Sequence, residues 1–300
     1  MTELQYKIQA CKKSKNALIL AHYYQPVEVQ EIADHVCDSF EMARLASEAE
    51  QSIIMICGVH FMAESAKILN PGKTVLIPVH NAGCPMADMI TPEQVNALRA
   101  EHPYAAVVCY VNSSAAVKAV SDICCTSSSA ERIVRSLPES TIIFIPDRNL
   151  GAYIASKVPE KKFVLHDGWC PVHDYAREEH VFAARSAYPG AKLLAHPECR
   201  DEVLRHADFI GSTAEIIRKA VGSSDSIYVI GTETGVVEHL KKLAPEKQFY
   251  PLKNDFVCED MKKIRLTDVL RTLETGSHEI KMSAKAIALA EAKLRRMMRV

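Results

Sequence analysis

The strongest constraint on how this chain folds is an internal repeat. Cys84 stands in HNAGCPM, Cys170 in HDGWCPV and Cys258 in KNDFVCED, 86 and 88 residues apart, each just after a β-like run (TVLIPV, KKFVL, QFYPL). Two other landmarks keep step. Short apolar runs lead to His22 (ALILAHYY), Tyr110 (AAVVCYVN) and His196 (AKLLAHPE), separated by 88 and 86 residues, and a second set leads to the hydroxyls of Ser39, Ser127 and Thr213 at the same separations. Asp34, Asp122 and Asp208 follow suit. One such match arises by chance. Three kinds of landmark sharing one offset across three copies point to homologous units of about 87 residues, placed at 1–88, 89–174 and 175–262, with 263–300 left over.

Within a unit, β-like runs alternate with helical periodicity. In the first, Ala17 to Ala21 reads as a strand, and Val29, Ile32, Ala33 and Val36 then recur at helical spacing. Helix FEMARLASEAE, strand SIIMIC, helix FMAESAKIL and the strand before the cysteine follow. Asp38 with Glu41 and Ser212 with Glu215 read as capping boxes; in the second unit the best box is Ser128 with Glu131. The pattern predicts an α/β fold of three homologous βαβαβαβ units, each a parallel sheet covered by helices, arranged about a pseudo-threefold axis. Residues 263–300 read as helices, LTDVLRTLE and then AKAIALAEAKLRRMM opened by Ser283, that dock on the repeats. Such sheets bind ligands beyond the carboxyl ends of their strands, where every repeated landmark falls.

Composition narrows the ligand. With 36 Lys+Arg against 37 Asp+Glu, the chain lacks the positive excess that neutralises nucleic-acid phosphates. Its charged start and the absence of an apolar run near ~20 residues predict no membrane span and a cytoplasmic protein. The ten cysteines are then expected to be thiols. No C-x-x-C pair is present, which excludes zinc ribbons and clustered cysteine loops.

Three thiols at equivalent strand ends are one ligand short of a closed four-cysteine iron-sulfur or zinc site. The fourth position would be open to substrate, as Lewis-acid chemistry requires. A single cysteine is more often ordinary packing; the threefold placement favours ligands for Cys84, Cys170 and Cys258, and leaves Cys11, Cys37, Cys57, Cys109, Cys124, Cys125 and Cys199 as core or near-site residues. Ser39, Ser127 and Thr213 precede helices, where free N–H groups and the helix dipole favour anions; simple N-capping is the plainer role. The first-strand loops supply His22 and Tyr24, Tyr110 and Asn112, His196 and Glu198, a set able to bind and move protons. His173, three residues after Cys170, can face the same pocket, whereas most of the 12 histidines are expected to be structural.

At these residues a resemblance becomes specific. NAGCPMADM, YVNSSAAVKA, GWCPVH, LLAHPEC, IGSTAEII and NDFVCEDMK resemble the quinolinate synthase family over essentially the whole chain. The resemblance implies three related α/β domains and a 4Fe-4S cluster on Cys84, Cys170 and Cys258. It also implies condensation of iminosuccinate with dihydroxyacetone phosphate, with iminosuccinate supplied by an L-aspartate oxidase or dehydrogenase. The substrate-site motifs match His22, Tyr24, Ser39, Tyr110, Asn112, Ser127, His173, His196, Glu198 and Thr213. In the division this suggests, Ser39, Ser127 and Thr213 orient anionic groups, His196, Tyr110 and Asn112 hold a planar intermediate, and Glu198 moves protons with His22 and Tyr24. AHYYQ stands where AHNYQ is usual, so Tyr23 replaces an Asn. Two other classes stay open at this level: a diphthamide-type noncanonical radical S-adenosylmethionine enzyme, and a nonenzymatic iron-sulfur sensor.

Overall fold

The computed structural model describes residues 1–300. Its strands fall into three four-stranded sheets, one per repeat. The first holds β1 (Ala17–His22), β2 (His35–Cys37), β3 (Ile53–Cys57) and β4 (Thr74–Leu76) in the order β2-β1-β3-β4. The second holds β5 (Ala106–Tyr110), β6 (Ile123–Cys125), β7 (Thr141–Ile145) and β8 (Lys162–Leu165) as β6-β5-β7-β8. The third holds β9 (Lys192–Ala195), β10 (Phe209–Ile210), β11 (Ile227–Gly231) and β12 (Gln248–Pro251) as β10-β9-β11-β12. All pairings are parallel. The expected α/β class and its three parallel sheets are therefore present. In each sheet the strand order turns back beside the unit's first strand, which opens a crevice at that strand's carboxyl end.

Continuous apolar runs form these strands because both faces are covered. Along β1, Leu18 and Leu20 enter one core cluster while Ile19 and Ala21 enter another. The repeated aspartates pin the same place in each unit. A carboxylate oxygen of Asp34 accepts the Ile19 N–H, Asp122 that of Val107 and Asp208 that of Leu193, each at 2.8 Å. The aspartate N–H returns a bond to the same residue's carbonyl. This reciprocal pair fixes where the first strand lies against the turn that leads to the second.

Two helical readings need correction. The helix at Val29 is only Val27–Gln30, and Val36 belongs to β2. Each unit also opens with a helix that apolar periodicity left unplaced: Glu3–Ser14, Pro92–Glu101 and Glu178–Ala187. The first two carry reciprocal capping boxes, Thr2 with Gln5 and Thr91 with Gln94, so the signal lay in the caps.

The C-terminal helices form as expected. Leu266–Thr275 packs Val269 and Leu273 with Ile8 of the first helix. Ala284–Arg299, capped by Ser283, buries Ala290, Leu294 and Met297 in the largest core cluster, together with residues of both the first and second sheets. No helix is long and apolar enough to cross a membrane.

Candidate active site

The carboxyl ends of the three sheets open onto one cavity of 610 Å³. Cys84, Cys170 and Cys258 line it, and so does every other candidate: His22, Tyr24, Ser39, Tyr110, Asn112, Ser127, His173, His196, Glu198 and Thr213. Residues from all three repeats thus share a single space.

At the ends of β1 and β9 the histidines fold back on the chain in the same way. His22 Nδ1 accepts the Tyr24 N–H at 3.2 Å, and His196 Nδ1 accepts the Glu198 N–H at 3.4 Å. With Nδ1 an acceptor, the proton of each neutral ring is assigned to Nε2. Burial drives both rings toward that neutral form, lowering each pKa to about 3; neighbouring His196 and Lys262 add to the effect on His22, and His173 to that on His196. Both residues are therefore hydrogen-bond donors through Nε2 near neutral pH.

A second set of contacts makes a chain. His173 Nδ1 lies 2.7 Å from Glu198 Oε2, and His173 Nε2 lies 2.9 Å from Thr232 Oγ1. Thr232 Oγ1 is 2.8 Å from the Tyr24 hydroxyl, which is 3.1 Å from Thr213 Oγ1. Tyr110 stands beside Glu198 on the other side. Burial alone would raise the Glu198 pKa, but the neighbouring His196, His173 and Tyr110 outweigh it and bring it below the usual carboxylate range. Burial, and then the Glu198 charge, push Tyr24 and Tyr110 well above the ordinary phenol value. Glu198 Oε1 and Asn112 Oδ1 remain buried without partners, two acceptors left for a ligand to satisfy. Asn149 steadies this corner by donating to the Glu198 carbonyl at 3.1 Å and to Asp174 at 2.9 Å.

Each cysteine starts a short turn of helix: Ala87–Met89 follows Cys84, Pro171–Asp174 follows Cys170 and Met261–Lys263 follows Cys258. Backbone N–H groups of Met86 and Ala87 reach the first sulfur, that of His173 the second, and those of Asp260 and Met261 the third. Such donors favour thiolates, yet burial pushes all three thiols up. A cationic centre between them would remove that penalty, so the donor set fits an iron-sulfur cluster. The ligating atoms of Cys170, His173 and Glu198 also lie within 4.8 Å of one another. His173 Nε2 is hydrogen-bonded to Thr232, and its Nδ1 lies 3.2 Å from Cys170 Sγ as well as 2.7 Å from Glu198 Oε2, so the trio reads as part of this contact network rather than as a separate ion site.

The hydroxyls at the helix starts are not caps. Ser39 and Thr213 are the first residues of helices Ser39–Glu48 and Thr213–Gly222; Asp38 caps one, and Ser212 with Glu215 boxes the other. Glu41 pairs with Arg44 and completes no box with Asp38. Ser127 precedes Ser129, the N-cap position of Ala130–Ser136, and the expected Ser128–Glu131 box is absent because Glu131 pairs with Arg135. Asp38 and Ser212 cap the first and third helices, the second has no side-chain cap, and all three candidate residues line the cavity.

Comparison with known proteins settles the kinship of this arrangement. A family profile described as "Quinolinate synthetase A protein" matches residues 6–299. The chain belongs to the quinolinate synthase family. It is 47% identical over 296 residues to a quinolinate synthase of Caldicellulosiruptor saccharolyticus, covering 99% of this chain and 98% of that one. It is 50% identical over 280 residues to a quinolinate synthase of Clostridium perfringens strain 13, covering 93% of each. A quinolinate synthase of Thermodesulfovibrio yellowstonii is 47% identical over 276 residues, covering 92% of this chain and 91% of that one.

Within this quinolinate synthase fold, sequence reasoning missed Thr232 and Asn149, which bond to site residues from behind, and Lys253 and His180, which line the cavity itself. Gly58 and Pro146 occupy the positions equivalent to Thr232 after β3 and β7, so the repeat gave it no signal. Tyr23, at the usual Asn position, packs its ring edge-on to His239 at 4.9 Å and is absent from the cavity lining.

Proposed function

We propose that the cavity condenses iminosuccinate with dihydroxyacetone phosphate to quinolinate, releasing phosphate and water, with a 4Fe-4S cluster carried by Cys84, Cys170 and Cys258. The observation that carries this reading is the meeting of three thiols from equivalent strand ends with Glu198, Tyr24 and the anion-facing hydroxyls in one space. Cys84, Cys170 and Cys258 would hold such a cluster, and it would supply Lewis-acid chemistry for the loss of a hydroxyl.

The chain's own residues take the remaining tasks. Ser39, Ser127 and Thr213 orient carboxylate or phosphate groups. His22 and His196 donate through Nε2–H, while Asn112 Oδ1 and Glu198 Oε1 accept. Tyr110 stands beside Glu198 and holds the planar intermediate. Tyr24, Thr232 and His173 form a hydrogen-bonded row that ends 2.7 Å from Glu198, and along it a proton leaves one reacting atom and reaches another. We place the three α/β repeat units at 1–88, 89–174 and 175–262, about a pseudo-threefold axis near the cavity, with the helices of 263–300 docked on them. An L-aspartate oxidase or dehydrogenase would supply the iminosuccinate.

Anaerobically purified protein should contain close to four irons and four sulfides per chain and form quinolinate from the two substrates. Cys84→Ser, Cys170→Ser and Cys258→Ser should each lose most of the cluster. Full cluster retention in all three variants would overturn the ligand assignment, and a loaded enzyme that makes no quinolinate would overturn the reaction.

A further inference from the structure

The helices after the third strand of each unit begin at His60, Arg148 and Thr234. The N–H of each donates to the carbonyl two residues before the unit's cysteine: His60 to Ala82 at 2.8 Å, Arg148 to Gly168 at 2.8 Å and Thr234 to Phe256 at 2.9 Å. The frame around the three cysteines is common to all three units. The N-cap residues within it are not, being Val59, Asp147 and Glu233.

Asp147 is fully buried. Its Oδ1 accepts the Leu150 N–H at 2.7 Å, which caps the helix, and its Oδ2 accepts the N–H of Cys170 at 3.1 Å. Glu233, equally buried, accepts the Gly235 N–H at 2.7 Å with Oε2 and the N–H of Cys258 at 3.3 Å with Oε1. Val59 has no acceptor to offer. The loop of Cys84 is instead held from outside its own unit, where Asp260 Oδ1 accepts the Gly83 N–H at 3.0 Å.

Capping alone does not account for the two carboxylates. A serine or threonine caps with one oxygen and buries no charge. The second oxygen of Asp147 goes to the cysteine, and that of Glu233 serves the Cys258 N–H together with Lys262 Nζ, 2.9 Å away. We propose that Asp147 and Glu233 are positioning residues that hold Cys170 and Cys258 with their sulfurs at the cavity before a cluster arrives. Cys84, whose loop is tied at Ala82 and Gly83 but whose own N–H meets no such carboxylate, is the compliant third ligand. This inference rests on the cluster reading above.

Asp147→Asn and Glu233→Gln keep shape but place an amide donor where the carboxylate accepted one of two N–H bonds. Loss of a partner that orients a metal ligand typically weakens metal retention roughly 10- to 100-fold. In anaerobically reconstituted protein, each variant should release iron to a ferrous chelator faster by that factor. Thr91→Ala removes a helix cap away from the cysteines and should leave iron release unchanged while lowering the melting temperature. That contrast separates positioning from general loosening. A second measurement needs no variant: in cluster-free wild type, the Cys170 and Cys258 amides should be protected from hydrogen exchange and the Cys84 amide should exchange faster. Wild-type iron release in both variants, or equal protection of the three amides, would overturn the inference. A wild type that binds no cluster would overturn the cluster reading itself, and with it the purpose assigned to the braces. A loaded wild type with unaffected variants would sink this inference alone.

Discussion

A histidine that spends Nδ1 on a backbone N–H two residues ahead enters its pocket as a neutral Nε2–H donor, and this chain does so twice, at His22 and His196. The cost appears as acid sensitivity. Both rings have a pKa near 3 when folded against the ordinary 6.5, so between those values the unfolded chain binds more protons and stability falls as pH drops. Above about 6.5 the effect is absent, and below it each ring contributes a slope of about 1.4 kcal/mol per pH unit. Denaturation midpoints measured from pH 5 to 8 should therefore rise and then level off, and His196→Gln should flatten the rise by about one proton. An unchanged slope would contradict the neutral buried ring. At this same scale, Glu198→Gln should retain the cluster and bind product yet lose most turnover, because the amide cannot carry the proton; near-normal turnover would remove Glu198 from the mechanism. What could be read in the sequence here was whatever the repeat triplicated. Asp34, Asp122 and Asp208 stood out for that reason, although their strand-pinning role required coordinates. Thr232 stood out in nothing, since its equivalents are Gly58 and Pro146.

Among the elements, the division of labour at the helix starts decides what a hydroxyl is for. Asp38 and Ser212 accept the free N–H groups of the first turn; Ser39 and Thr213 sit one residue later and are spared that duty. Ser212→Ala should cost ~1 kcal/mol of folding stability. Thr213→Ala and Ser127→Ala should leave the denaturation midpoint almost unmoved while weakening quinolinate binding in a titration of the same preparations. Equal affinity in those two variants would return the hydroxyls to a passive role. The sequence placed these helices and named Asp38 and Ser212 as their caps, but in the second unit it offered Ser128 with Glu131, where Ser129 holds the N-cap position and Glu131 pairs with Arg135. It also overlooked the helix opening each unit. Pro92–Glu101 buries only Val95, too little to write an apolar stripe, so its start was written only in Thr91, Pro92 and Gln94.

Across the whole molecule, three sheets that each bury their own strands still need something to fix one against another, and the last helix is part of the answer. Ala284–Arg299 packs on helices His60–Leu69 and Ala115–Val120 and on β6, joining the first two repeats. The repeat made the three sheets legible, but this helix has no counterpart among the units, so its amphipathic pattern announced a docking face without naming the surface beneath it. Leu294 sits at the centre of that contact. It is fully buried and borders a small void with Phe61, Met62 and Val111, directly behind Ser39. Leu294→Ala should cost about 2–5 kcal/mol, toward the upper end if the existing void prevents the walls from closing on the new space. The same change should loosen the wall that carries Ser39, so product affinity should fall alongside the denaturation midpoint. Leu289, half-exposed on the same helix, provides the control: Leu289→Ala should change stability by less than about 1 kcal/mol and leave affinity alone. If Leu294→Ala also costs less than about 1 kcal/mol, the helix is a surface addition, and the first two repeats are held together by their own contacts at the cavity.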